Sequence, residues 1–213
     1  MIIILIIYVV AASFLFVYSL LQTSLLYKYI FKKKNVKNHT KLSNEFIPKV
    51  TIQLPLYNEL YVVERLIDKV CEMDYPKNKL EIQVVDDSTD ESQKISKDKV
   101  DEWNAKGIDI VYIHRSNRKG FKAGALEDAL EVAKGDFIAI FDADFLPESN
   151  FLQRTVPHFS NAKIGMVQTR RGHLNRNYNL LTKIQAVALD AHFTIEQVGR
   201  STTEALINFH GNE

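Results

Sequence analysis

The residues with the clearest chemical potential are Asp142 and Asp144, two carboxylates one residue apart in Phe141-Asp142-Ala143-Asp144-Phe145. They directly follow Phe137-Ile138-Ala139-Ile140, an uncharged and mostly bulky run that predicts a buried strand of a parallel sheet. With 13 Asp in 213 residues, one Asp-x-Asp is expected by chance, so position rather than pattern carries the reading. Ligands of open α/β sheets bind beyond the carboxyl ends of strands. Two acids placed there can share a hard divalent cation, which in turn can hold a phosphate group.

Two further acids, Asp86 and Asp87, end a second apolar run, Ile82 to Val85. Turn formation and helix capping explain Asp90 in that loop well, but two adjacent acids at a strand end less well. A third loop, His114 to Ala125, is basic and then turns to small residues that open a helix. Cations beside a helix N-terminus suit a diphosphate. Lys122 stands out among them, because Gly120, Ala123 and Gly124 let a ligand approach closely; Arg115, Arg118 and Lys119 fit a solvated basic loop as well.

Strands and helices that position these loops are predicted in alternation. Val50 to Leu54 reads as a strand ended by Pro55-Leu56-Tyr57-Asn58-Glu59. Leu60, Val63, Ile67 and Val70 form a helical stripe. A polar helix is expected from Glu91 to Asn104, a strand from Ile108 to Ile113, and a helix along Ala125 to Ala133. The central strand then delivers Asp142 and Asp144. A helix from Glu148 to Phe159, a strand over Ile164 to Gln168 and a helix from Tyr178 to about Arg200 follow. That order predicts an α/β class with a largely parallel sheet. No Gly-x-Gly-x-x-Gly follows the first strand and no Gly-x4-Gly-Lys-Ser/Thr occurs, so the dinucleotide-binding and P-loop patterns are excluded. The histidines show no zinc spacing, and one cysteine, Cys71, permits no intrachain disulfide.

From Met1 to Tyr27 no side chain is charged, a length sufficient to span a hydrocarbon core as a helix. Lys28, Lys32, Lys33, Lys34, Lys37 and Lys41 follow. This arrangement predicts a transmembrane helix over 1–27, a basic juxtamembrane linker over 28–48 and a cytoplasmic domain from 49 to 213. A cleaved signal peptide fits less well, because no basic segment precedes the apolar run and no small-x-small site ends it. In a cytoplasmic setting the sequon at Asn38 has no role. The net charge of +1 gives no case for nucleic acid as a partner.

Taken in order, Pro55-Leu56-Tyr57-Asn58-Glu59, Val84-Val85-Asp86-Asp87-Ser88-Thr89-Asp90, Gly120-Phe121-Lys122-Ala123-Gly124-Ala125 and Phe141-Asp142-Ala143-Asp144-Phe145 resemble family 2 glycosyltransferases. They are most similar to the cellulose-synthase-like group that includes plant mannan synthases. Val167-Gln168-Thr169-Arg170 and Leu189 to Gln197 share that likeness. The resemblance implies a GT-A fold, a UDP- or GDP-hexose donor and a polysaccharide acceptor of β-mannan or β-glucan type. It implies that Tyr57 and Glu59 border the nucleoside, that Asp86 and Asp87 hold base and ribose, and that Lys122 contacts the diphosphate. Asp142 and Asp144 would bind Mg²⁺ or Mn²⁺ with that diphosphate. It further implies an inverting, membrane-anchored enzyme. The family's Thr-Glu-Asp-type base and Gln-x-x-Arg-Trp segment are not among these residues, so the expectation is an N-terminal part with a donor site and little activity by itself. The alternative is a non-catalytic sugar-nucleotide-binding or scaffold module. A sugar-1-phosphate nucleotidyltransferase would need a glycine-rich first loop, which Pro55 to Glu59 is not.

Overall fold

The computed structural model describes residues 1–32, 46–169, 172–173 and 175–191. The chain divides into two compact units, His39–Val167 and a second formed by Met1–Asn38 with Gln168–Glu213.

The first unit alternates strand and helix: β1 (Val50–Leu56), α2 (Val63–Cys71), β2 (Leu80–Asp86), α3 (Ser92–Ala105), β3 (Ile110–His114), α4 (Phe121–Leu130), β4 (Phe137–Ile140) and α5 (Phe151–Thr155). The four strands are all parallel, in the order β3-β2-β1-β4. The chain thus moves outward from β1 to β3, then returns to place β4 against the other edge of β1. This reversal makes the gap between β1 and β4 a topological switch point, where the loops leaving the two strands diverge and open a crevice.

Because successive side chains of a strand face opposite sides, β1 and β2 present two different faces. Ile52, Leu54, Ile82 and Val84 join the apolar core with Val63, Leu66, Ile67 and Val70 of α2 and Val100 of α3. Thr51, Gln53, Glu81 and Gln83 are buried as well, although polar. They pair across the strands, Thr51 Oγ1 donating to Glu81 at 2.6 Å and Gln53 Nε2 to Gln83 at 3.0 Å. Asp90, not the preceding residues, anchors the start of α3, accepting from the Ser92 N–H at 3.0 Å.

Three expectations change. The strand delivering the acids is the edge of the described sheet, not a central buried strand; Ile140 is 44% exposed. The helix after Pro147 starts only at Phe151 and tightens to a 3-10 turn at Val156–Ser160, since Pro157 lacks the N–H that would continue an α-helix. Residues 164–168 form no strand, because they find no ladder partner among the described residues.

In the second unit α1 spans Ile2–Lys32, and its stretch Ile2–Ser24 is long and apolar enough to cross a membrane. Its hydroxyls bond back within the helix: Ser13 Oγ donates to Val9 O at 2.8 Å, and Thr23 Oγ1 to Ser19 O at 2.8 Å. Helix α6 covers Leu180–Ala191, where His173 and Arg176 each meet Asp190 at 3.3 Å. The expected helix beyond 191, most of the basic linker and the terminal segment Asn208 to Glu213 lie outside the described residues.

Candidate functional site

The loop leaving β1 carries Tyr57, Asn58 and Glu59. Asn58 adopts a left-handed backbone, φ 55°, which its short polar side chain tolerates. It is laced to the loop leaving β2: the Asn58 N–H donates to Ser88 Oγ at 2.8 Å, and Thr89 N–H donates to Asn58 Oδ1 at 2.9 Å. The β1 and β2 loops therefore hold each other, with Asn58 as the clasp. The sequence reading passed over Asn58, although an Asn just after a strand is a signal for such a turn.

Asp86 is fully buried. Its Oδ1 accepts the Ser88 N–H at 2.9 Å and its Oδ2 accepts the Tyr112 hydroxyl at 2.7 Å. Burial, then this bond to Asp86, pushes the Tyr112 hydroxyl pKa up. Asp87 is 4% exposed and meets Arg115 as a two-pronged fork: Nε to Oδ1 at 2.7 Å and a terminal nitrogen to Oδ2 at 2.6 Å. Arg115, itself 9% exposed, reaches Asp128 of α4 at 2.9 Å with its other nitrogen. Its hydrogen bonds to Asp87 raise the guanidinium's pKa further, so it stays charged. Arg115 is thus no solvated loop residue. It ties the end of β2 to α4, and its weight was missed because its partners lie far off in sequence.

That tie also fixes the turn into α4. Gly120 is left-handed, φ 74°, and so is Phe121, φ 49°, a strained setting for an aromatic residue. Arg115 donates to the Phe121 carbonyl at 3.1 Å and so supports the strained residue. A Cβ on Gly124 would lie 2.1 Å from the Lys119 carbonyl oxygen, so the first turn of α4 can pack here only without a side chain.

Lys122, in this first turn, forms an ion pair with Asp142 just past β4. The basic loop that opens α4 and the Asp-x-Asp loop therefore meet. In the β1 loop, partial burial first, then the negative charge of Asp144, raises the Glu59 carboxyl above its ordinary value. Two acids repelling one another at a strand mouth are chemically suited to a divalent cation. Among the described residues no group of three His, Cys, Asp or Glu side chains could hold a metal by itself. This fits an ion such as Mg²⁺ or Mn²⁺ held by one or two carboxylates and completed by phosphate oxygens. The geometry thus joins Lys122 to Asp142 and ties Asp87 to α4 through Arg115. Asp86 and Asp87 have their oxygens engaged within the protein.

Stacking completes the mouth. The Arg118 guanidinium lies over the Tyr57 ring, 3.3 Å from its centroid, and 5.3 Å from that of Phe121. Tyr57 is 39% exposed and Phe121 66%.

A family model described as Glycosyl transferase family 2 matches residues 51–210. The chain is 41% identical over 186 residues to glucomannan 4-beta-mannosyltransferase 9 of Arabidopsis thaliana, covering 85% of this chain and 35% of that protein. It is 39% identical to glucomannan 4-beta-mannosyltransferase 7 of the same plant, covering 87% of this chain and 36% of the relative. It thus spans about a third of the length of these relatives. Among solved structures it is similar to the mannosyltransferase PcManGT from Pyrobaculum calidifontis in complex with GDP-Man and Mn²⁺. That similarity has a TM-score of 0.56 and 32% identity over 70% of this chain and 44% of the other. The chain belongs to glycosyl transferase family 2 and has its GT-A-like fold.

Proposed function

We propose that this member of glycosyl transferase family 2 supplies the donor side of a membrane-anchored, inverting hexosyltransferase that extends a β-linked polysaccharide of mannan type. The observation that carries the reading is the ion pair of Lys122 with Asp142, which brings the basic loop before α4 to the Asp-x-Asp loop after β4, beside the β1–β4 switch point. A nucleoside diphosphate needs this: a cation and an acid-held metal on the phosphates, and flat surfaces for the base. The mannosyltransferase names of the relatives and the GDP-Man and Mn²⁺ of the solved neighbour favour GDP-mannose over a UDP-hexose.

In this reading Asp142 and Asp144 hold Mg²⁺ or Mn²⁺, which when bound neutralises charge on the departing diphosphate. Lys122 adds a fixed positive charge to the same oxygens. Tyr57 and Glu59 border the nucleoside, and Asp86 and Asp87 shape the floor beneath base and ribose. The acceptor hydroxyl attacks the anomeric carbon, the bond to the diphosphate breaks, and a base takes the hydroxyl proton. No described residue is assigned as that base.

Helix α1 is the proposed anchor, followed by the basic linker 28–48, with the glycosyltransferase domain from 49 onward in the cytoplasm. Its 23-residue stretch Ile2–Ser24 reaches about 35 Å as a helix, enough for a hydrocarbon core of about 30 Å. Its hydroxyls satisfy themselves on the helix backbone, as a non-aqueous surrounding demands.

The test is Asp144→Asn in the full-length protein, assayed for transfer from GDP-mannose against Mn²⁺ concentration. A loss of about a hundredfold or more is expected. Unchanged metal-dependent transfer would overturn the assignment.

A further inference from the structure

The geometry points to Arg118 as the residue that reads the base of the donor and selects guanine over uracil. The role presupposes a nucleoside-diphosphate donor, as proposed above. Three observations carry it. The guanidinium lies over Tyr57, so its flat face is already occupied by an aromatic ring. The N–H groups of a guanidinium lie in its plane, so a stacked arginine keeps them for acceptors beside it. Its Nε–H is buried without a hydrogen-bond partner, and a buried orphan donor calls for an explanation.

The other two charges of the site are spent differently. Arg115 is committed to Asp87 and Asp128, and Lys122 to Asp142. Arg118 makes no ion pair among the described residues; its contacts are aromatic. It stands with the half-exposed ring of Tyr57 and the exposed ring of Phe121, surfaces that suit a planar ligand rather than a phosphate. With Nε closed off by the protein, the two terminal nitrogens present the fork of N–H groups that matches two adjacent acceptors. Guanine offers such a pair, O6 and N7, on one edge; uracil has no two adjacent ring acceptors.

The experiment measures equilibrium binding of GDP, UDP and 7-deaza-GDP, each with Mn²⁺, to the full-length protein in detergent and to Arg118→Ala and Arg118→Lys. Circular dichroism confirms that both variants are folded. The expected result is GDP bound about tenfold or more tighter than UDP or 7-deaza-GDP by the unaltered protein. Both variants should lose that preference, while their UDP affinity stays within about threefold of the unaltered protein, since lysine keeps the charge but not the fork. Equal binding of GDP and 7-deaza-GDP by the unaltered protein would overturn the inference. So would a variant that weakens GDP and UDP alike, which would make Arg118 a phosphate or structural contact. In both cases the nucleotide-sugar reading would stand. Failure of every nucleotide to bind the unaltered protein would overturn that reading and the inference with it.

Discussion

Arg115→Met removes one partner of a buried ion pair and leaves Asp87 charged in a site that is 4% exposed. The side chains of the pair are 7% and 4% exposed, so water does not screen it. Deleting one member of such a pair costs about 3–5 kcal/mol, mainly through the stranded charge. The bond from Arg115 to Asp128 adds little, because Asp128 is 59% exposed and exposed pairs are worth about 1 kcal/mol or less. Against a usual total of about 5–15 kcal/mol, this is a large fraction of the stability. For a domain of about 130 residues, each kcal/mol moves Tm by about 3–4 °C, so the midpoint should fall by about 10–20 °C. Thermal unfolding followed by circular dichroism reads this directly. Asp128→Asn is the internal comparison and should shift the midpoint by only a few degrees. Combining Arg115→Met with Asp87→Leu should restore much of the loss, since a buried pair replaced by apolar side chains is often neutral. The reasoning fails if Arg115→Met costs less than about 1 kcal/mol, or if the double variant is as unstable as the sum of its parts.

Other outcomes follow from single contacts. Gly124→Ala drives a Cβ against the Lys119 carbonyl, a backbone atom that cannot rotate away, and should cost about 1–3 kcal/mol in denaturant unfolding. Glu59→Gln should stabilise the protein at neutral pH while weakening Mn²⁺-dependent GDP binding. The folded pKa of Glu59 lies above its unfolded value, so its charge destabilises the fold above the folded pKa and the penalty vanishes below the unfolded one. The gain in Tm from Glu59→Gln should therefore be present at pH 7 and absent near pH 4; an equal gain at both would refute the electrostatic cause. Cys71, whose thiol pKa is pushed up to about 12 by burial and then by Asp68, should resist thiol reagents at pH 8 until the protein unfolds.

The sequence pattern of β1 and β2 misleads in an instructive way. Val50-Thr51-Ile52-Gln53-Leu54 and Leu80-Glu81-Ile82-Gln83-Val84 alternate strictly, the pattern of sheets with one wet face. Both faces are nevertheless dry. In register, Thr51 lies opposite Glu81 and Gln53 opposite Gln83, so each polar residue finds its partner on the adjacent strand. Glu81 remains acidic in this setting. Burial would raise its pKa, but bonds from Thr51 and from Lys134, whose ammonium lies 3.2 Å away, outweigh this and lower it. Alternation shows which residues share a face. What covers that face depends on pairings thirty residues apart, which periodicity does not contain.

The same limit explains what was and was not visible at the site. Asp142, Asp144 and Lys122 could be picked out because their loops directly follow a strand or open a helix, and the parallel order sends all such loops to one end; Glu59 was marked only by the family resemblance. Arg115 and Arg118 sit three residues apart in one basic loop and look alike in sequence. They differ only in what the fold brings to them: two carboxylates for Arg115, two aromatic rings for Arg118. A guanidinium clamped by carboxylates is fixed and has little left to offer a ligand. One lying on a ring keeps its in-plane donors. Burial and charge therefore divide one short loop into an arginine that builds the site and an arginine equipped to recognise what enters it.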